Sequence, residues 1–190
     1  IVVFSLLFYS FLSNSCYALT SKEVGEVLAQ FAINFANNYG ANAEEHGKEN
    51  QTAYSWNDEH RGPAYNKIKT SGIGGGSGLS FTNKYAMDCV GWISFAMHHA
   101  LGISSSITGS YGFEFFVVPT SCTGVNESIM EVVSGPPQLG DVCASSGHVW
   151  IYVGNGMMVD SQTSNGVAYR APYCDYERIY RMREDYAATL

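Results

Sequence analysis

The chain has 190 residues, 46% of them hydrophobic and 14% aromatic, enough for one packed domain with a real core and neither disordered nor fibrous in composition. Its formal charge is −7 and no basic patch or Arg-rich run interrupts the acidic balance, which argues against nucleic acid and anionic membrane as partners.

The first 18 residues, IVVFSLLFYSFLSNSCYA, are uncharged and mostly apolar, with Cys16 and Ala18 as small residues at the −3 and −1 positions. That pattern predicts a secretory signal peptide over 1–18, truncated at its front because the usual basic start and initiator Met are missing. A retained anchor is the weaker reading, since the run is short for a membrane span. The mature part is then a single exported domain, 19–190, with no membrane segment. It keeps Cys89, Cys122, Cys143 and Cys174. Export permits disulfides, and if Cys89 stays free the other three allow one bridge in three pairings.

Thr20 to Gly40 reads as an amphipathic helix: Thr20 and Glu23 have capping-box spacing, Val24, Val27, Leu28, Phe31 and Phe35 form one apolar face, and Gly40 is the stop. Residues 41–87 are polar and read as long loops. Their GIGGGSG run at 72–78 lacks the Lys-Ser/Thr of a phosphate loop, so it too reads as loop. A second helix is predicted from Asp88 to about Leu101, stopped by Gly102. Thereafter DVCAS, HVWIYVG, MMVDSQ, GVAYR and RIYRMR read as strands of an antiparallel meander, with GNG at 154–156 as a hairpin signal. Helices followed by strands indicate an α+β domain.

Several groups could carry chemistry. His46 and His60 lie in polar, acidic stretches without metal-ligand spacing and read as solvated loop histidines. Cys89 follows Asp88, the expected N-cap, and so begins a helix, where the dipole and free N–H groups can stabilise a thiolate. On position alone a buried structural cysteine is an equal alternative. His98 and His99 lie about 14 Å along the same helix, too far to serve as its base. His148 begins a strand, and Asp160 ends another twelve residues later. If Gly154-Asn155-Gly156 is a three-residue loop, Trp150 faces Asp160, His148 faces Gln162, and His148 and Asp160 are diagonal neighbours on one face. A two-residue loop would put them on opposite faces. The first register builds a Cys-His-Asp relay of nucleophile, base and orienting carboxylate.

DCVGWISFAMHHALGI, PPQLGDV, HVWIYVGNGMMVDS and GVAYR resemble, in order and spacing, the NlpC/P60 family of cell-wall cysteine peptidases, over roughly residues 20–183. The family's pattern is Asp-Cys-Ser-Gly-Phe on a helix, a Pro-Gly-Asp turn, His-Val-Gly-Ile-Tyr-x-Gly-x-Gly, and a third polar residue twelve positions after the histidine. The resemblance implies a papain-like α+β fold and hydrolysis of the bond between D-γ-glutamate and a diamino acid in peptidoglycan stem peptides. It makes Cys89 the nucleophile, His148 the base and Asp160 the orienting residue. Tyr54-Ser55-Trp56 fits the family's segment whose tyrosine helps stabilise the oxyanion, so Tyr54, Trp56 and Asp88 join the expected oxyanion and substrate-binding set. Three departures stand out: Asn57 replaces a glycine and about thirty residues separate Trp56 from Cys89; Val90 replaces the serine after the cysteine; and Asp160 stands where histidine is commonest. The reading is an exported, extracellular or periplasmic monomer that needs no metal or organic cofactor and whose partner is peptidoglycan or its muropeptide fragments. The alternatives are a CHAP-type amidase and a non-catalytic wall-binding module.

Overall fold

The structure, a computed structural model, describes residues 18–54, 72–73, 80–81, 85–103, 127–145, 147–162, 165–172 and 174–190. Helix α1, Ser21–Asn38, opens on the predicted capping box. Thr20 Oγ1 accepts from the Glu23 N–H at 3.2 Å, and Glu23 Oε2 accepts from the Thr20 N–H at 2.8 Å, satisfying two donors the helix leaves open. Its buried stripe is Val24, Gly25, Leu28, Ala29, Ala32, Phe35 and Ala36. Val27, expected on that face, is 43% exposed, because the small residues Gly25, Ala29, Ala32 and Ala36 draw the close-packed side away from it. Gly40 also acts differently from a helix-stopping glycine. The C-cap is Tyr39 and Gly40 has a φ of −85°. Space is what requires it: a Cβ there would lie 2.3 Å from the Val167 carbonyl oxygen and 2.9 Å from the Ala36 backbone.

The stretch read as loop contains short elements. A 3-10 turn covers Ala41–His46, and strand β1 (Thr52–Ala53) pairs in parallel with β4 (Tyr85–Ala86). Strands β2 (Gly72–Ile73) and β3 (Ser80–Phe81) pair antiparallel, and the rest of the glycine run lies outside the described residues. Helix α2, Cys89–Leu101, starts at Asp88, whose carboxylate accepts from the Gly91 N–H at 2.7 Å. It ends at Gly102, whose φ of +68° is the left-handed cap that favours glycine.

Strands β5 (Met130–Val133), β6 (Val142–Ser145), β7 (His148–Tyr152), β8 (Met158–Gln162), β9 (Gly166–Arg170) and β10 (Arg178–Met182) form one antiparallel sheet in the order β5-β10-β6-β7-β8-β9. The expected meander holds from β6 to β9. β10 departs from it, crossing back to lie between β6 and β5, a strand without a prediction. A short helix, α3 (Glu184–Ala187), follows. Helices before an antiparallel sheet give the α+β architecture. Both sheet faces are covered. Val142, Ala144, Val149, Ile151, Val159 and Val167 join α1 and α2 in the main core, while Cys143, Trp150, Met158 and Ile179 form a second cluster. Two-sided burial explains why HVWIYV reads as an apolar run and not a polar-apolar alternation. No helix among the described residues is long and apolar enough to cross a membrane.

Candidate active site

The β7–β8 hairpin places the first two candidate groups. Gly154, Asn155 and Gly156 have φ of 88°, 53° and 70°, a left-handed run that two glycines and an asparagine tolerate. They form the three-residue loop: Ile151 pairs with Val159 and Tyr152 with Met158. The same register, carried two residues on, sets Trp150 opposite Asp160 and His148 opposite Gln162. His148 and Asp160 therefore share a face, and His148 Nε2 donates to Asp160 Oδ2 at 2.8 Å. The Asp160 side chain is fully buried and that of His148 is 13% exposed. Trp150 stacks against the imidazole with ring centroids 5.7 Å apart, restricting its rotation.

Arg170 joins them, a residue the sequence did not single out. β9 pairs Ala168 with Asp160, so Arg170 lies two residues further on the same face. Its Nε and Nη2 both donate to Asp160 Oδ1, at 2.8 and 2.5 Å. The period of two carries the signal, but only once the β8–β9 register is known: Asn165-Gly166 is a turn signal, yet Gln162 pairs with Gly166, a register that a two-residue Asn-Gly turn would not give.

Cys89 is the first residue of α2 and is buried. Two hydrogen bonds fasten this helix start to β8 on either side of Asp160. Trp92 Nε1 donates to the Val159 carbonyl at 3.1 Å, and Ser161 Oγ donates to the Met87 carbonyl at 2.8 Å. Burial pushes the Cys89 thiol up to about 12, with the neighbouring Asp88 charge adding to the rise; backbone N–H groups of Val149, Val90 and Cys89 pull the other way. The Val149 N–H belongs to the residue after His148, so the sulfur sits against the start of β7. Position at the helix start left an activated thiolate and a buried cysteine as equal readings; here burial weighs against the thiolate and opposes the pull of the helix-start N–H groups.

Tyr54 is brought to the same place despite its distance in sequence. β1 and β4 pair Thr52 with Tyr85 and Ala53 with Ala86, and Met87 N donates to the Ala53 carbonyl at 3.1 Å. Tyr54, buried, thus follows β1 beside the Met87-Asp88-Cys89 segment. Asp88 serves as the helix cap. Trp56 lies outside the described residues, as do His60 and Cys122.

The other histidines occupy packing or surface positions. His98 Nδ1 donates to the Ile103 carbonyl at 2.7 Å, and the His99 ring lies 4.4 Å from that of Phe95. Burial and then the neighbouring His98 hold the His99 imidazole below its usual value. His46 is exposed. Cys89, Cys143 and Cys174 carry free thiols. Among the described residues no three His, Cys, Asp or Glu side chains gather in a way that could hold a metal ion. The PPQLGD turn before β6 is anchored by Asp141, which accepts from the Gln138 N–H at 2.7 Å and pairs with Arg181 through two hydrogen bonds.

The family described as "NlpC/P60 family" matches residues 72–184. A solved structure, NlpC2 from Trichomonas vaginalis, is similar at 16% identity with a TM-score of 0.37, covering 84% of this chain and 46% of that one. The chain thus spans under half the length of that protein. No curated protein matches the chain.

Proposed function

Because the chain belongs to the NlpC/P60 family, a family of cysteine hydrolases acting on cell-wall peptides, we propose that it is a secreted, monomeric cysteine peptidase that cleaves the D-γ-glutamyl–diamino acid bond of peptidoglycan stem peptides. The observation that carries this reading is the 2.8 Å contact of His148 Nε2 with Asp160 next to a cysteine at a helix start. With Nε2 turned to Asp160, Nδ1 is the nitrogen assigned to proton transfer.

In this reading the Cys89 sulfur bonds to the scissile carbonyl carbon as its proton passes to His148 Nδ1. The high thiol value makes proton removal part of the attack instead of a preceding equilibrium. The Cys89 backbone N–H and the Tyr54 hydroxyl stabilise the oxyanion. His148 then gives the proton to the amine nitrogen, the C–N bond breaks, and a thioester and a free amine remain. A water molecule, losing its proton to His148, attacks the thioester carbon. The C–S bond breaks, the acid leaves, and the thiol regains the proton. Asp160 accepts from Nε2–H throughout and stabilises the imidazolium.

Digestion of purified peptidoglycan with mass identification of the fragments tests the proposal. A new diamino-acid amine, absent with Cys89→Ala, is the expected result. Release of the stem from muramic acid would assign an amidase of the CHAP type instead, and unchanged fragments would support a wall-binding module.

A further inference from the structure

Asp160 is fully buried and divides its oxygens between two partners: Oδ2 accepts from His148, and Oδ1 accepts twice from Arg170. A buried carboxylate with no compensating charge favours its protonated form. A protonated Asp160 would donate to His148 Nε2 and place the ring proton on Nδ1, the nitrogen that must be unprotonated to receive the Cys89 proton. The Arg170 guanidinium supplies the compensating charge and, by holding Oδ1, leaves Oδ2 to the imidazole. We propose, resting on the hydrolase reading above, that Arg170 is a positioning residue: it holds Asp160 as an anion aimed at His148 and thereby sets the imidazole in its Nε2–H tautomer.

The charged and titratable groups gathered here by the described elements are His148 from β7, Asp160 from β8, Arg170 from β9, Asp88 and Cys89 from the head of α2, and the Tyr54 phenol that follows β1. Asp88 is committed to the Gly91 N–H. Arg170 is the cation in direct contact with Asp160, so its removal should act on the Asp160–His148 pair.

The test compares the native protein with Arg170→Gln and Arg170→Lys, and then repeats Arg170→Gln in an Asp160→Ala background. Nitrogen NMR of the His148 ring at neutral pH should report Nε2–H in the native protein and a shift toward Nδ1–H in Arg170→Gln. On a purified stem peptide, Arg170→Gln should lose about ten- to a hundredfold in kcat with KM little changed. Arg170→Lys should restore part of the loss. In the Asp160→Ala background the same change should cost less than about twofold, because nothing remains for Arg170 to act through. An unmoved tautomer with equal losses in both backgrounds would make Arg170 a merely structural residue. A raised KM with intact kcat would make it a substrate contact, and either result overturns the proposal. A tautomer shift in a protein that cleaves no stem peptide would refute the function and leave the positioning role standing.

Discussion

Asp160→Ala removes one carboxylate and, with it, three hydrogen bonds: one from His148 and two from Arg170. Nucleophile and base stay in place, so turnover should fall by about one to three orders of magnitude, or roughly 1.4–4 kcal/mol of barrier, and not to the level of Cys89→Ala. Stability should also fall. Breaking a fully buried ion pair costs about 3–5 kcal/mol, but the Arg170 side chain is 20% exposed and can recover water, which brings the cost nearer to about 1–3 kcal/mol. For a chain of this size that is a Tm drop of about 2–4 °C per kcal/mol. Asp160→Asn is the more discriminating change. Arg170 presents only donors to Oδ1, so the amide oxygen should turn to Arg170 and the amide NH2 to His148, favouring the tautomer with the proton on Nδ1. Asparagine should therefore be no better than alanine in kcat, although it should unfold at a higher temperature. The assay is turnover of a purified stem peptide, with thermal unfolding of each variant alongside. Near-native turnover by Asp160→Asn would refute the tautomer argument, and native turnover by both variants would reduce Asp160 to a hairpin residue.

His148→Gln should be close to inactive, whereas His98→Gln and His99→Gln should each keep nearly full turnover; equal losses at all three would mean the base is misplaced. Alkaline pH should destabilise the fold through two buried thiols. Burial is the main cause that raises both Cys89 and Cys143 to about 12, while an unfolded chain ionises its thiols near the ordinary value. Their contribution is therefore intact below about pH 8.5 and lost as pH climbs toward 12, at about 1.4 kcal/mol per pH unit for each thiol. Denaturant unfolding from pH 8 to 11 checks this. Cys143→Ala should remove about half of the slope, and an unchanged slope would show that Cys143 does not carry it.

The parts of the site that were legible in the sequence are those set by local rules. Asp88 before an apolar run announces a helix start at Cys89, and Gly154-Asn155-Gly156 announces a hairpin with two possible loop lengths, of which the three-residue one sets His148 and Asp160 on a shared face by counting. What was not legible depends on distant partners. β10 crosses to β6 and β5 because sheet order is decided by long-range pairing, which a strand's own pattern does not encode. Tyr54 is carried alongside the Met87-Asp88-Cys89 segment by parallel pairing of two-residue strands, too short to show a period. Arg170 needed a second register. The burial that raises the Cys89 thiol is a property of the packed chain, and position in the helix had left a thiolate and a buried cysteine as equal readings.

The central claim is that Cys89 is the nucleophile of a hydrolase served by His148, and the covalent intermediate tests it most directly. The protein should be mixed with a purified stem peptide, quenched in acid within one turnover, and measured as an intact mass with peptide mapping. The predicted result is a mass increase equal to the acyl half of the peptide, located on Cys89, absent in Cys89→Ala and nearly absent in His148→Gln. Released amine without an adduct on Cys89, formed equally well by Cys89→Ala, would contradict the account.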